Sequence, residues 1–334
     1  MRALRHARAA ALLAVVALGA CAGDDGGADG VVGAPLTGCL VPVAPVLTRV
    51  QTGAELHFAS PDGSPVSLAL DAIPGGGAPA AWAEGDVVTL EHPGRRRVVA
   101  RLESDCEPAA TFDATYDVAP AFAPAAGEGG SDAVPAANGR VRGWATGIAD
   151  VTFGDGVDER WRDASAALGE ADGAMGVVSL GEGGVITLTF ARPFGDGPGD
   201  DLAVFENSFS DDFLELAWVE VSSDGTHFER FDSAYLGEEP LGPYDTQPAE
   251  QIAGLAGKYR QRFGTPFDLA DLRFRAAVRD GTLDLARVTH VRIVDVVGDG
   301  SARDSFGRPI WDPFPTRDSA GFDLDAVAVL ASRP

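Results

Sequence analysis

Several acidic residues of the C-terminal half fall on strand faces that are otherwise apolar. Alternate residues of a β-strand point to the same side, and by this rule four acids share a face with apolar neighbours: Asp295 within 291–297, Glu206 within 202–207, and Asp323 and Asp325 within 322–329. A carboxylate that faces a protein core is costly unless it is hydrogen-bonded, paired with a cation or bound to a metal. These acids are therefore candidates for chemistry or for metal binding.

Three explanations for the inward-facing acids remain open on the sequence. In the first two, the acids accept backbone N–H bonds at sheet corners or pair with a buried arginine such as Arg292 or Arg308. The third explanation is that the acids bind Ca²⁺, which prefers oxygen ligands. Cationic partners are scarce, because 50 acidic residues stand against 26 basic ones and Lys258 is the sole lysine. With the Asp-Gly turn at Asp172, the set predicts a structural Ca²⁺ site with these ligands: Asp172, Glu206, Asp295, Asp323 and Asp325.

Aromatic side chains in the long loops are the candidate contacts to a ligand. Aromatic faces stack on sugar rings or fill the pockets of a partner protein. The candidate ligand-binding residues are Trp161, Tyr235, Tyr244, Tyr259, Trp311 and Phe314. Packing of each ring against the core is the competing interpretation.

The elements that position these residues are predicted to be almost entirely strands, so the fold class is all-β. Short apolar runs separated by Gly and Pro turns, among them 54–59 and 66–71, predict a small immunoglobulin-like β-sandwich over 36–118. An Ala/Pro/Gly-rich linker is predicted at 119–138, followed by a larger antiparallel jelly-roll domain at 139–334. Two short helical stretches are expected, one at 164–168 and one that Asp268 caps and that runs through Leu272.

The N-terminus predicts export. Three arginines within the first eight residues precede an apolar stretch of about a dozen residues, which is too short to span a bilayer. Residues 1–20 are predicted to be a signal peptide and 21–35 a flexible tether. In an oxidising compartment Cys39 and Cys106 are expected to form a disulfide.

The sequence Leu18-Gly19-Ala20-Cys21 resembles the lipobox of bacterial lipoproteins. In that family the cysteine, here Cys21, is acylated and becomes the mature N-terminus. Ala22 follows the cysteine in place of Asp, which by resemblance to the sorting rule of Gram-negative lipoproteins implies an outer-membrane location.

The composition excludes some classes of protein. A formal net charge of −24 argues against binding to nucleic acid and against electrostatic docking on anionic lipid. The chain contains neither a Gly-x-Ser-x-Gly elbow nor a His-Glu-x-x-His helix. No catalytic residue is assigned, and a non-enzymatic function is favoured.

An ordered set of motifs resembles a family of bacterial cell-surface proteins over about 150–331. The motifs are VFEN at 204–207, VEVSSDG at 219–225, GTPFDLADL at 264–272, VRIVD at 291–295 and GFDLDAV at 321–327. A more distant similarity links the domain to discoidin-type, galactose-binding-like domains, which implies a structural Ca²⁺ and loops that bind sugars or surfaces.

These features predict a lipid-anchored cell-surface protein. Its calcium-stabilised jelly roll would bind a carbohydrate, a small metabolite or a surface partner, and the membrane would be contacted through the N-terminal lipid. Two alternatives remain: a glycan-active hydrolase that uses paired carboxylates, and a purely structural envelope lipoprotein.

Overall fold

A computed structural model describes residues 14–17, 49–59, 66–71, 83–85, 87–102 and 111–331. It divides into two compact units, Met1–Val118 and Ala119–Pro334. Cys21, Cys39, Cys106 and the predicted tether lie outside the described residues, and Ala14–Ala17 is the one described part of the predicted signal peptide. Within the described ranges, no helix has both the length and the apolar character needed to cross a membrane.

The first unit consists of strands. They are β1 Ala14–Ala17, β2 Arg49–Gln51, β3 Ala54–Ala59, β4 Val66–Asp71, β5 Ala83–Glu84, β6 Val87–Leu90, β7 Gly94–Leu102 and β8 Thr111–Ala119. One sheet has the order β1-β3-β6 and the other the order β2-β8-β7-β4-β5. Leu56, Leu90 and Val98 are among its buried apolar residues. The strands at 54–59 and 66–71 have the bounds predicted from short apolar runs between turns.

The second unit is also built from strands. They are β9 Val134–Pro135, β10 Val141–Thr152, β11 Val178–Ser179, β12 Val185–Phe194, β13 Leu202–Glu206, β14 Ala217–Ser222, β15 Glu229–Arg230, β16 Ala234–Tyr235, β17 Ile252–Ala253, β18 Phe263–Phe267, β19 Val288–Asp295, β20 Asp299–Arg303, β21 Pro309–Trp311 and β22 Asp323–Leu330. The main sheet has the order β15-β14-β19-β12-β10-β22-β13-β18-β9, with β11 on β22. Its pairs are antiparallel. The all-β prediction is confirmed.

Helical structure in the second unit is short. Four 3₁₀ turns occupy Glu159–Trp161, Ala164–Ala167, Ala249–Gln251 and Leu269–Leu272, and one α-helical turn occupies Ala276–Arg279. The Asp268 carboxylate accepts a hydrogen bond from the Ala270 N–H at 2.9 Å. The predicted cap before Leu272 is thereby confirmed, and it starts a 3₁₀ turn.

The core of the second unit lies against one face of the central strands. Ile186, Leu188, Val219 and Ile293 are at most 1% exposed. Burial of one such side chain stabilises the folded state by about 1.5–3 kcal/mol. The same alternation carries Asp295, the last residue of β19, onto the buried side. Packing therefore fixes the register that turns this acid inward.

Residues 119–138, predicted as a linker, are part of the second unit. Val134 is 3% exposed and pairs with Gly264 of β18. Ala119 packs against Ala234 and Ala253. Small apolar residues can also lie at the edge of a sheet or fill narrow gaps in a core. A composition rich in Ala, Pro and Gly therefore did not distinguish a linker from a part of the folded unit.

Candidate functional site

A cavity of about 410 Å³ lies where several strands of the second unit end. Three carboxylates line it and form what we term the acid floor: Glu206, Glu215 and Asp323, which are 2%, 5% and 7% exposed. Three aromatic side chains also line it and form the aromatic rim: Phe209, Phe213 and Tyr244. Phe209 is 65% exposed and Tyr244 is 87% exposed. The cavity thus combines buried negative charge with accessible aromatic rings.

The strands of the main sheet position the acid floor. Glu206 is the last residue of β13, and its Oε2 accepts a hydrogen bond from the Ser208 N–H at 2.8 Å. Asp323 is the first residue of β22 and pairs in register with Ser179 of β11. Glu215 lies two residues before β14. Each acid lies within a strand or next to one, so regular secondary structure fixes the positions of all three.

A second layer of buried acids fixes the backbone beside the floor. Asp312 Oδ1 accepts a hydrogen bond at 3.0 Å from the N–H of Leu216, the residue after Glu215. Asp295 Oδ1 accepts one at 2.7 Å from the N–H of Phe322, the residue before Asp323. These two acids therefore hold the chain at positions adjacent to two floor carboxylates.

The loop 316–321 is held in a similar way. Glu182 Oε1 accepts hydrogen bonds from the Thr316 N–H at 2.8 Å and the Thr316 hydroxyl at 2.9 Å. The Thr316 Oγ1 in turn accepts one from the Gly321 N–H at 2.9 Å. Since Thr316 also lines the cavity, this chain of bonds fixes one of its walls.

Burial and mutual repulsion make the acids around the cavity weak acids. Burial raises the pKa of Glu206 and Glu215 well above the usual range, with neighbouring carboxylates adding to the rise. The pKa of Asp323 is raised to about 7, chiefly by burial. Among the described residues, no ion pair with Arg, Lys or His involves the acid floor, Asp295 or Asp312. The raised pKa values therefore favour the protonated, neutral form of these acids, and the one basic residue among those that line the cavity, Arg317, is exposed.

The five predicted metal ligands divide into three groups. Glu206 and Asp323 line the cavity. Asp295 and Asp325 are buried but accept backbone N–H bonds, Asp325 from Gly173 at 3.0 Å, as the hydrogen-bond explanation predicted. Asp172 is exposed and accepts the Ala174 N–H of its own turn at 2.7 Å. The four strand acids face inward, and the structure does not bring all five together.

A different trio of acids has the closest mutual spacing. Asp196, Asp201 and Asp268 each offer a carboxylate oxygen within 4.8 Å of the others. Both oxygens of Asp201 already accept backbone bonds, from Gly197 and Leu269 at 2.9 Å each. The sequence reasoning did not select this trio.

Of the six predicted aromatic contacts, Tyr244 lines the cavity. Tyr235 and Tyr259 are each 1% exposed, which corrects the expectation that they are accessible. The Tyr235 hydroxyl donates a hydrogen bond to the buried Gln247, and the Tyr259 hydroxyl donates one to Asp132. The remaining three are half-buried and do not line this cavity: Trp161, Trp311 and Phe314. Trp161 donates its Nε1–H to Asp318 at 3.0 Å.

Sequence reasoning missed Glu215, Phe209 and Phe213. Glu215 is in step with Ala217 and Val219, so the alternation that selected Asp295 would have selected it too. Phe209 and Phe213 flank three polar residues in a loop, where no periodicity exists to indicate which way a side chain points.

No family model and no curated protein matches the chain. A solved structure of a carbohydrate-binding module from the β-sandwich superfamily aligns with 85% of this chain and 92% of its own length, at 10% sequence identity and a TM-score of 0.22. A likeness this low does not bear on the ligand of this chain.

Proposed function

We propose that the second unit is a carbohydrate-binding module and that the cavity between the acid floor and the aromatic rim holds the sugar. The observation that supports this most strongly is the presence of both groups in one cavity of about 410 Å³. Small-molecule sites typically measure ~300–1,000 Å³ and combine apolar walls with a few fixed polar groups.

The chemistry of the two groups suits a sugar. Carboxylate oxygens accept hydrogen bonds from hydroxyls, and Asn207, also buried at the cavity, offers both a donor and an acceptor. The exposed rings of Tyr244 and Phe209 present apolar faces on which the C–H face of a sugar can stack. The floor would orient the ligand and the rim would supply contact area.

Substitution of the rim tests this proposal. Purified full chain is screened on a glycan array, and each hit is titrated by calorimetry. Tyr244→Ala and Phe209→Ala are expected to weaken binding about tenfold each, ~1.4 kcal/mol. Met175→Ala is the matched control, because Met175 is 55% exposed and does not line the cavity. Absence of glycan binding by the unaltered chain, or unchanged affinity in both rim variants, would contradict the proposal.

A second candidate function is glycan hydrolysis. The buried Glu206 and Glu215 with raised pKa values favour it, since a glycosidase needs one carboxylic acid that stays protonated near neutral pH. The array hits are incubated with the protein and analysed for products. Turnover that Glu206→Gln and Glu215→Gln abolish would assign an enzyme, whereas binding without turnover would support the module.

We also propose that acylation of Cys21 anchors the chain to the outer membrane. The lipobox-like residues before Cys21 support this, and a lipid anchor would hold the binding module at a membrane surface.

A further inference from the structure

The second unit contains another cavity, of about 530 Å³. We term it the second cavity, and the one above the acid floor the first cavity. Tyr235 and Gln247, each at most 3% exposed, form part of its wall, and Leu236, which is 38% exposed, also lines it. The two cavities share no lining residue. A volume within the ~300–1,000 Å³ typical of small-molecule sites gives the second cavity room for ligand groups of its own.

The loop between β16 and β17 contributes to both cavities. Leu241 and Thr246 line the second cavity, whereas Pro243 and Tyr244 line the first. Two peptide units separate the Cα atoms of Tyr244 and Thr246, and these span at most about 7.6 Å. The two cavities therefore adjoin across the turn 242–245.

Hydrogen bonds close the turn 242–245 in both directions. Asp245 Oδ2 accepts one from the Gly242 N–H at 2.7 Å, and the Asp245 N–H donates one to the Gly242 carbonyl at 3.1 Å. Tyr244 lies within this turn and is 87% exposed. A fixed backbone thus presents its ring at the boundary between the two cavities, which lowers the entropy that a ligand would cost to order it.

Gln247 ties the walls of the two cavities together. Its N–H donates a hydrogen bond to the Asp212 carbonyl at 2.7 Å, and its Nε2 donates one to the Leu214 carbonyl at 3.0 Å. Its Oε1 accepts one from the Tyr235 hydroxyl at 2.7 Å. Asp212 and Leu214 flank Phe213 of the aromatic rim, so a residue of the second cavity holds a segment of the first.

The second cavity offers a ligand both polar and apolar contacts. The Thr246 hydroxyl is on an exposed residue and the Gln251 amide on a half-buried one, and neither group bonds another of the described residues. A hydroxyl and an amide can each donate to and accept from the hydroxyls of a sugar. Leu236 adds an accessible apolar surface. These are the kinds of contact that the first cavity also provides.

The charge of the walls restricts the kind of sugar. The exposed Glu238 and Glu239 line the second cavity, and its described lining residues include neither Arg nor Lys. Three carboxylates and one arginine, Arg317, line the first cavity. Exposed glutamates are ionised at neutral pH and repel other anions. The second cavity is therefore unfavourable for sugars that carry carboxylate or sulfate groups.

We propose that the two cavities are consecutive subsites for one oligosaccharide of neutral sugars, which crosses the turn 242–245 at the Tyr244 ring. The second subsite rests on the proposed function, since the first cavity is the sugar site of that function. Units that occupy the second cavity are linked to units already bound in the first, so they bind without a second loss of translational freedom. Affinity therefore rises with chain length until both cavities are filled.

Calorimetry on the full chain tests the second subsite with a neutral series, from monosaccharide to hexasaccharide, built from the units that the glycan array identifies. We expect affinity to rise about 10- to 100-fold along the series and then to level off. Leu236→Ala and Gln251→Ala are expected to weaken the longest ligand about three- to tenfold and to leave the shortest ligand that binds unaffected. Tyr244→Ala should weaken ligands of every length. Met175→Ala is the control, because Met175 lines neither cavity.

The possible outcomes separate the second subsite from the module itself. Equal affinity for the shortest and longest ligands, or an unchanged affinity for the longest ligand in both Leu236→Ala and Gln251→Ala, would overturn the second subsite and leave the module. Absence of any glycan binding would remove both. A uronate oligomer of matched length is expected to bind about tenfold more weakly than the neutral one, with a smaller difference at high salt. Equal affinity for the two would overturn the assignment to neutral sugars.

Discussion

At the scale of single residues, the buried acids serve two physically different purposes. Asp295 and Asp312 bond backbone N–H groups, which offsets part of the cost of their burial. Asp323 instead lines the cavity, with the Ser179 hydroxyl of the neighbouring strand beside its carboxylate. The sequence predicted that four acids point inward, because a period of two needs only strand positions. It could not assign their partners, because those lie on strands and loops remote in sequence.

The raised pKa values predict a dependence of stability on pH. The pKa values of Asp295 and Asp323 are both raised to about 7, chiefly by burial, whereas an aspartate in the unfolded chain titrates near ~3.9. Between these values the folded protein holds more protons than the unfolded chain, so the free energy of unfolding falls as pH rises from about 4 to about 7.

Melting of chelator-treated protein checks this dependence. We expect a lower melting temperature at pH 8 than at pH 5, since the folded protein holds protons on these acids that the unfolded chain releases. A melting temperature that rises from pH 5 to pH 8 in chelator would show that these acids are not held at raised pKa values.

At the scale of elements, a glycine at position 257 allows its segment to lie directly against the backbone of Glu215. Gly257 has a φ of +84°, and a Cβ at this position would lie 1.8 Å from the Glu215 carbonyl oxygen. Its neighbour Ala256 exchanges two backbone hydrogen bonds with Ala217 at the start of β14. A side chain at 257 would push apart two segments that the acid floor needs close together.

Gly257→Ala is therefore expected to destabilise the fold by about 2–5 kcal/mol, from steric overlap and backbone strain, and to weaken glycan binding. Gly281→Ala is the matched control, because Gly281 has a φ of +81° but open space around its Cβ position. It should cost only about 1–2 kcal/mol and leave the glycan affinity unchanged. Denaturant unfolding measures both variants, and equal losses would show that the close approach is unimportant.

Element boundaries illustrate what the sequence determines and what it does not. The strands at 54–59 and 66–71 were predicted from short apolar runs between turn residues and have those bounds in the structure. The segment 119–138 was predicted as a linker, yet Val134–Pro135 edges the main sheet. A two-residue strand has no period to detect, and its pairing depends on β18, more than 120 residues later.

At the scale of the whole molecule, the cavity belongs to the second unit alone, since its lining begins at Glu206. The acid surplus of 50 against 26 basic residues leaves few cations for these carboxylates. A lipid anchor at Cys21 would hold this cavity at a membrane surface, so the proposed anchor and the proposed binding module suit one another.

Anchoring is tested by fractionation of cells that express the full chain. Cys21→Ala is expected to move the protein from the membrane fraction to the soluble fraction, because one apolar anchor is removed. Ala22→Asp is the matched variant, and by the lipoprotein sorting rule it should keep the protein on membranes while shifting it to the inner one. Membrane attachment that survives Cys21→Ala would contradict lipidation at this residue.

The most direct test of the account is a crystal structure of the full chain with a bound glycan taken from the array. The account predicts the sugar in the cavity, with hydroxyls within hydrogen-bond distance of Glu206, Glu215 or Asp323 and a ring face on Tyr244 or Phe209. A glycan bound elsewhere on the chain, with the cavity empty, would contradict it.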